Sequence, residues 1–424
     1  RIADTFIKRE SVPKFSRVVS REEIRSNDYN LNIPRYVDSS EAAEHWDVYA
    51  SMFGGIPTAE IEELGEFWTA FPALKKALFT ESGIPYVNVS VDDIKSAIKS
   101  HPDVVGFEDA FNAAFSTFPA FLKEELIDRM ESIEISKAET VLSADIFERL
   151  KDIPLIDKYA AFQLLDDDWT GISIDLEMLQ TEGFAATKKV DPNLVIKKKD
   201  GKDQEVQEGW VGHIIPFDLV QATLLSTETD ELHGLESRLA EIPSEYESIL
   251  DEMTEEDKES CNDVLTEEGD AFVPKEVSKK IKELKKDRSP ESVALRTLLE
   301  KVESLVKSEK EIKAEIKAKS AALQAKTKDT IESLSDEQAL DLLEKKWIAP
   351  LFESIHKLPD TVIDSLVSKI QALQNKYATT FFEVEQQISE TEATLSGMID
   401  DLEGNEYDML GLNELKKLLG GSAE

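Results

Sequence analysis

Several features that would mark a catalytic or secreted protein are missing from this sequence. A single cysteine, Cys261, excludes an internal disulfide framework and a zinc cluster built from cysteines. No apolar run approaches the roughly 18 residues that a membrane span needs, and no signal peptide pattern is present. The five histidines have no metal-ligand spacing, and we find no nucleophile motif, phosphate-binding loop or G-x-G-x-x-G. We therefore expect a cytoplasmic protein without a catalytic, cofactor or metal site of its own.

The charge of the chain is strongly one-sided. Asp and Glu number 87 against 49 Lys and Arg, which gives a formal net charge of -38. Such a surface repels DNA phosphates, so a DNA contact would require a local basic patch. Residues 275–328 are one candidate, with sixteen Lys or Arg against nine Asp or Glu, although a solvated coiled-coil face explains the same pattern. A second patch that could contact the DNA backbone consists of Lys197, Lys198, Lys199 and Lys202.

The hydrophobic pattern indicates a mainly α fold. With 424 residues and 41% apolar residues, the chain is long enough for two or three folding units with buried cores. We predict a multi-helical domain with a small β-hairpin insertion and a long, coiled-coil-like C-terminal antiparallel helical hairpin. The predicted segments are an extended linker and first helix at 1–57, a helical domain at 58–165, a β or irregular insertion at 166–220, an acidic helical or mobile segment at 221–288, and the helical hairpin at 289–424.

The insertion at 166–220 contains the clearest β pattern. Leu194-Val195-Ile196 and Glu205-Val206-Gln207 flank a lysine-rich turn at Asp200-Gly201, and Asp-Gly supplies the positive φ angles that a tight hairpin needs. The acidic triplet at 166–168 could hold a divalent cation. A solvated turn or helix end is the interpretation we favour, because adjacent side chains point in different directions. The phenylalanines between 107 and 121 recur every three or four residues, which predicts a buried helical stripe.

Two long helices are predicted in the C-terminal third. A capping serine, Ser289, followed by proline starts a helix that ends near Leu334. A second helix runs from Leu358 through Leu402, with a stutter in its apolar repeat before Phe381. A single pair of helices buries only a narrow stripe, so we expect an external partner helix. The residues predicted to contact that partner are Ile363, Leu366, Ile370, Phe381, Val384 and Ile388.

A run of ten residues near the N-terminus is far more specific than any of these patterns. It consists of Asn27, Asp28, Tyr29, Asn30, Leu31, Asn32, Ile33, Pro34, Arg35 and Tyr36. With its flanks over residues 12–38, it resembles the segment that directly follows the catalytic domain in the DNA methyltransferase subunits of type I restriction-modification systems. Looser similarity continues at 209–220 and in the last helix. Because the proline and three asparagines of the run disfavour a helix, we predict a loop-rich segment with exposed apolar side chains.

The resemblance implies a function for the parent protein rather than for this chain alone. The family methylates adenine at N6 with S-adenosylmethionine and uses an N-P-P-F or D-P-P-Y tetrapeptide, which this sequence does not contain. No catalytic or cofactor-binding residue is therefore carried over, and we expect no methyltransferase activity from this chain alone. The implied partners are the specificity subunit, the restriction subunit in the full complex, and DNA through the complex, with no membrane involved.

Two other interpretations stay open at this point. Composition alone fits a free-standing acidic coiled-coil adaptor, although the 12–38 match argues against it. An acidic protein that mimics DNA is the other possibility, and the basic stretch at 275–328 counts against that interpretation.

Overall fold

The structure is a computed structural model that describes residues 1–40, 45–81, 85–199, 202–266, 269–287 and 289–419. It is mainly α-helical with a small β-hairpin, which confirms the predicted fold class. The chain divides into two compact units. The first unit comprises Arg1–Phe118, Glu139–Asp167 and the chain from Phe352 onward, and the second comprises Pro119–Ala138 and Asp168–Leu351.

The secondary structure is dominated by short helices around a few long ones. The α-helices are α1 (Ile2–Lys8), α2 (Arg21–Ser26), α3 (Val48–Phe53), α4 (Thr58–Glu62), α5 (Gly65–Ala70), α6 (Leu74–Leu78), α7 (Ile94–Lys99), α8 (Pro102–Phe115), α9 (Phe118–Leu122), α10 (Ile135–Arg149), α11 (Lys158–Glu182), α12 (Phe217–Leu224), α13 (Ser226–Glu252), α14 (Glu255–Ser260), α15 (Pro274–Leu284), α16 (Pro290–Glu332), α17 (Asp336–Trp347), α18 (Ala349–His356), α19 (Leu358–Lys376), α20 (Phe381–Asp400) and α21 (Glu406–Leu418). Ile33–Arg35 and Phe184–Lys188 form 3₁₀-helices, and Lys123–Asp128 forms a π-helical turn. The strands are β1 (Ile56–Pro57), β2 (Phe79–Glu81), β3 (Tyr86–Val89), β4 (Val190–Lys199) and β5 (Lys202–Gly212).

The first unit contains a small sheet that the sequence analysis missed. Strand β3 pairs with β1 on one side and β2 on the other, both antiparallel, with Val87 opposite Ile56 and Val89 opposite Phe79. We had predicted a helical domain at 58–165 and no strand within it. Strands of two to four residues are too short to show the alternation that distinguishes a strand from a helix in a sequence.

The core of the first unit joins segments that are far apart in the sequence. Buried Ile61 of α4, Leu74 of α6 and Ile98 of α7 belong to one apolar cluster with residues of α19. Those α19 residues include Ile363 and Ile370, which are fully buried. Helix α19 is therefore part of the core of its own unit.

The helix predicted from 358 through 402 is two helices, so that prediction is wrong. Residues 377–380 separate α19 from α20. The Thr380 hydroxyl accepts a hydrogen bond from Glu383 N at 3.1 Å, and the Glu383 carboxylate accepts one from Thr380 N at 3.0 Å, which forms a capping box. Tyr377 is buried, and its hydroxyl donates to Glu60 at 2.5 Å. The stutter in the apolar repeat thus marks a new helix start.

The long helix α16 starts at the predicted position and ends close to the predicted end. The Ser289 side chain caps it, as expected from the serine-proline pair. Helix α16 packs antiparallel against α13, with Lys326 paired to Glu228 near one end and Lys301 paired to Glu252 at 3.2 Å near the other. The helical hairpin therefore forms between α13 and α16, whereas the predicted second arm belongs to the first unit.

The acidic segment 221–288 supplies most of the packing around the first half of α16. Cys261, Val264 and Val277 are buried in a cluster that includes Leu299 of α16. Burial raises the pKa of the Cys261 thiol, so this cysteine serves as a small apolar core residue.

The phenylalanine stripe has the predicted role. Phe111, Phe115 and Phe118 are fully buried, and the rings of Phe111 and Phe115 stack with centroids 4.7 Å apart. These residues are core residues of α8 and α9, as the periodicity indicated.

The acidic triplet at 166–168 lies in the middle of α11, so our prediction of a turn or helix end is wrong. Two of its carboxylates are exposed, and Trp169 beside them is buried. The high helix propensity of the flanking residues carries α11 through the triplet, because isolated Asp residues only modestly oppose a helix.

The first helix of the predicted segment 1–57 has a possible capping box in the sequence at Asp38 and Glu41, but Glu41 lies outside the described residues. Helix α3 begins at Val48, and the Asp47 carboxylate caps it by accepting a hydrogen bond from Ala50 N at 2.8 Å.

Candidate protein and DNA interaction sites

The ten-residue motif forms an irregular segment, as predicted. After α2 ends, Asp28 and Tyr29 have φ angles of 55° and 56°, in the left-handed region. The Tyr36 hydroxyl then donates to Asn30 O at 2.6 Å and closes the loop. The 3₁₀-helix Ile33–Arg35 lies within it. Backbone turns and local hydrogen bonds, rather than a regular helix, therefore shape this segment.

Apolar side chains of the N-terminal region are exposed. Tyr29, Leu31 and Ile33 point to solvent, with Ile33 71% exposed. On α1, Ile2 and Phe6 are one helical turn apart and are also exposed. Single exposed apolar residues are ordinary, but several within 33 residues are typical of a segment that packs against another protein surface.

Half of the predicted partner-facing residues are unavailable to a partner. Ile363, Leu366 and Ile370 are fully buried in the core of the first unit. Their assignment to an external interface is therefore wrong. An apolar stripe indicates that one face of a helix is buried by other residues. It does not show whether those residues belong to the same chain or to another chain.

The other half of the predicted interface is exposed. Phe381 is 60% exposed and Ile388 is 53% exposed, and Val384 is also accessible. All three lie on α20, whose first ten residues are all exposed. A groove of about 340 Å³ runs along this face. It is lined by Val384, Gln387, Ile388, Thr391, Glu392, Leu395 and Leu419.

The predicted β-hairpin is present and longer than predicted. Strands β4 and β5 pair from Val190 opposite Gly212 to Lys199 opposite Lys202, with Val195 opposite Val206. They form a two-stranded sheet, which we call the ribbon, residues 190–212. In the described residues 194–208, no side chain is buried, and Ile196 is 70% exposed.

The ribbon places the predicted DNA-contacting lysines near its tip. Lys197 forms an ion pair with Glu208, whereas Lys198 is exposed. The side chains of Lys199 and Lys202 and the Asp200-Gly201 turn lie outside the described part of the structure. Lys197 and Lys198 are on successive positions of one strand, so their side chains lie on opposite faces of the ribbon.

A charged cluster fixes the base of the ribbon. His213 Nδ1 lies 2.6 Å from Asp191 Oδ2 on β4, and His213 Nε2 lies 3.1 Å from Glu182 Oε1 at the end of α11. The hydrogen bond to Asp191, followed by the one to Glu182, raises the pKa of His213 above its usual value against the opposing effect of burial. When His213 is protonated, it therefore bridges two carboxylates from different elements.

The base of the ribbon also packs against α16. Lys328 Nζ lies 3.7 Å from the centroid of the Trp210 ring, a cation–π contact. Beside this contact is an open groove of about 690 Å³. It is lined by Glu208, Gly209, Trp210, Ala321, Gln324, Ala325, Lys328 and Asp329.

The basic stretch at 275–328 is largely neutralised by carboxylates of the same unit. Lys319 pairs with Glu231 at 2.7 Å, and Lys326 and Lys301 pair with further carboxylates of α13. Lys280 pairs with Asp263 at 3.0 Å. This arrangement supports the solvated coiled-coil face that we had weighed against a DNA contact, because ion-paired lysines have less free charge to offer to phosphate.

The sequence analysis missed a buried polar group in the second unit. Asp175 of α11 is buried, forms an ion pair with Lys346 and accepts a hydrogen bond from Trp347 Nε1 at 2.8 Å. Lys346 Nζ also donates to Ile214 O at 2.6 Å. The sequence signal for this buried group was the position of Asp175, three residues after buried Ile172. This spacing places both residues on the same face of α11.

Two other kinds of feature are absent from the described part of the chain. There, no group of three or more His, Cys, Asp or Glu side chains has a geometry that could hold a metal ion. None of the helices described is long and apolar enough to cross a membrane.

Residues 1–45 match the N-6 DNA Methylase family. The match contains the ten-residue motif Asn27–Tyr36 and covers about a tenth of the chain. We therefore describe residues 1–45 as an N-6 DNA methylase-like region. Comparisons with curated proteins and with solved structures found no match.

Proposed function

We propose that this chain is an assembly region of a DNA adenine-N6 methyltransferase subunit from a type I restriction-modification system. The observation that carries the proposal is the N-6 DNA methylase-like region at 1–45, which contains the ungapped motif Asn27–Tyr36. The exposed apolar side chains of this region, such as Leu31 and Ile33, would pack on the catalytic domain of the subunit.

The assembly partner in this proposal is the specificity subunit, with the restriction subunit joining in the full complex. The exposed face of α20 supplies the docking surface, through Phe381, Val384 and Ile388. These side chains are accessible in the chain alone, so a partner can bury them without unfolding the first unit. The alternative of a free-standing acidic adaptor would use the same face with an unrelated partner.

The chain would also help to hold DNA, through the ribbon. Lys198 is exposed near the ribbon tip, and two further lysines flank the turn in the sequence. A two-stranded ribbon is narrow enough to approach the DNA backbone or enter the major groove. The contact would be electrostatic and would weaken as salt rises.

The chemistry of the reaction is assigned to another part of the subunit. S-adenosylmethionine would serve the parent subunit, but the residues present here do not fit it. The sequence has no N-P-P-F or D-P-P-Y tetrapeptide, and the strands in the described residues pair only antiparallel, in sheets of two or three strands. Nucleotide-like cofactors in doubly wound folds bind at the carboxyl edge of a parallel sheet. We expect calorimetric titration of this chain with S-adenosylmethionine to show no saturable binding.

Co-expression with the specificity subunit of the same restriction-modification system tests the assembly role. We expect the two chains to co-purify and Ile388→Asp to abolish this, because the substitution places a charge where a partner helix packs. Ile174→Asp on α11 is the matched control, since Ile174 and Ile388 are both 53% exposed. If the wild-type chain fails to co-purify, or if both variants behave alike, the proposed docking is wrong.

A further inference from the structure

The exposed face of α20 has a coiled-coil repeat. Its exposed seam residues are spaced by four, three, four and three positions, a heptad pattern. They are Val384, Ile388, Thr391, Leu395 and Met398. A straight helix brings residues at these spacings onto one stripe, roughly 21 Å long at 1.5 Å per residue. We call residues 384–398 the α20 seam.

The α20 seam is only partly covered within its own unit. Helix α21 lies beside α20, where Leu419 borders the groove and Lys416 pairs with Asp400 at 2.6 Å. The buried α20 residues are Ser396 and Ile399, which lie off the seam. The first ten residues of α20 are all exposed, whereas most of the stability of a helix in a protein comes from packing of its apolar face. A partner helix would supply the missing packing.

The charges around the seam specify which helix can pack there. Residues 377–415 contain ten Asp or Glu and no Lys, Arg or His. In the heptad numbering, the charged e and g positions beside the seam are Glu385 and Glu392, both of them acidic. Charges at e and g positions decide partner choice in coiled coils. A second copy of this chain would bring the same two carboxylates to the interface, which opposes self-pairing.

We propose that the α20 seam is one strand of a heterotypic coiled coil whose other strand is an amphipathic helix with Lys or Arg at its e and g positions. The apolar seam provides the packing, and the acidic flanks select a basic helix over an acidic one and over a second copy. Thr391, the one polar residue of the seam, fixes the register, as single polar core positions do in coiled coils. The inference deepens the proposed function and rests on it only for the identity of the chain that carries the basic helix.

Two synthetic peptides test the charge rule directly. Both have three heptads with the same Ile and Leu core, and they differ only in Lys or Glu at every e and g position. Fluorescence anisotropy measures their binding to the full chain. We expect the Lys peptide to bind at least tenfold more tightly than the Glu peptide, and salt to weaken its binding because the flanking charges are solvent-exposed. Equal binding of the two peptides, or binding of neither, overturns the proposal.

Three variants assign the binding to the seam. Ile388→Asp should abolish binding of the Lys peptide, whereas the matched Ile174→Asp should leave it unchanged. The combined reversal Glu385→Lys and Glu392→Lys should invert the preference, so that the Glu peptide binds more tightly. This gain of binding cannot result from misfolding. Failure of the reversal to invert the preference contradicts the charge rule.

The oligomeric state of the full chain supplies a second measurement. We expect sedimentation velocity to show a monomer at micromolar concentration. A dimer that Ile388→Asp dissociates would assign the seam to a second copy and overturn the proposal. If the chain binds the Lys peptide more tightly than the Glu peptide but does not co-purify with the specificity subunit, the proposed function is wrong and the charge rule is supported. If the chain co-purifies with the specificity subunit but binds both peptides equally, the charge rule is wrong and the proposed function is supported.

Discussion

Two isoleucines belong to one apolar pattern in the sequence, but replacing each of them with alanine should change the free energy of unfolding by very different amounts. Ile370 is fully buried in the core of the first unit, and Ile388 is 53% exposed on α20. Removing buried methyl groups forfeits their transfer free energy and leaves a cavity, so Ile370→Ala should lower the free energy of unfolding by roughly 2–5 kcal/mol. Ile388→Ala removes atoms that already contact water, and its cost should stay within about 0.5 kcal/mol.

Hydrogen exchange measured by mass spectrometry separates the two sites. A loss of about 3 kcal/mol at Ile370 should speed exchange of the protected amides in α4 and α7 by about 100-fold, because each 1.4 kcal/mol changes the opening equilibrium about tenfold. Ile388→Ala should leave those amides unchanged. Unaltered exchange in Ile370→Ala would show that α19 does not belong to this core. An equal effect of both variants would show that α20 is a core helix and would remove the basis for assigning it to a partner.

The remaining predictions concern the second unit. His213 has a pKa raised by Asp191 and Glu182, so its bridge stabilises the ribbon below the unfolded-state pKa of histidine and is lost as pH rises through the higher folded value. Protection of the β4 and β5 amides, corrected for intrinsic exchange, should therefore fall on going from pH 6 to pH 9, and His213→Gln should abolish that fall. Asp175→Asn leaves the Lys346 ammonium without its charged partner, and we expect a loss of roughly 3 kcal/mol in urea unfolding monitored by tryptophan fluorescence.

Local signals in the sequence identified the start of several elements. The serine-proline pair at Ser289 marks a helix start in the structure. The Asp-Gly pair predicted a hairpin, and strands β4 and β5 flank that pair. Each of these signals acts within four residues of its own position, so no knowledge of the tertiary fold is required to interpret it.

Signals that depend on the tertiary fold were less informative. The stripe that begins at Ile363 is covered by the same chain, and the stripe that continues at Val384 is exposed, yet both have the same helical period. Only the capping box at Thr380 separates them, and a threonine followed three residues later by glutamate was visible in the sequence. The helical hairpin was assigned the wrong second arm for the same reason, since amphipathic helices of similar length are interchangeable until their partners are known.

The distribution of charge explains how so acidic a chain can still offer distinct contacts. Three lysines of α16 pair with carboxylates of α13, so the longest basic stretch of the sequence is partly neutralised within the second unit. Fixed pairs of this kind add little stability at a solvated surface, but they remove cations that would otherwise attract phosphate. The ribbon keeps an exposed cation at Lys198, and the α20 seam keeps uncompensated carboxylates such as Glu385. In the proposed function, a phosphate backbone and a basic helix would therefore contact different elements of the same chain, and we expect that each contact can be removed without disturbing the other.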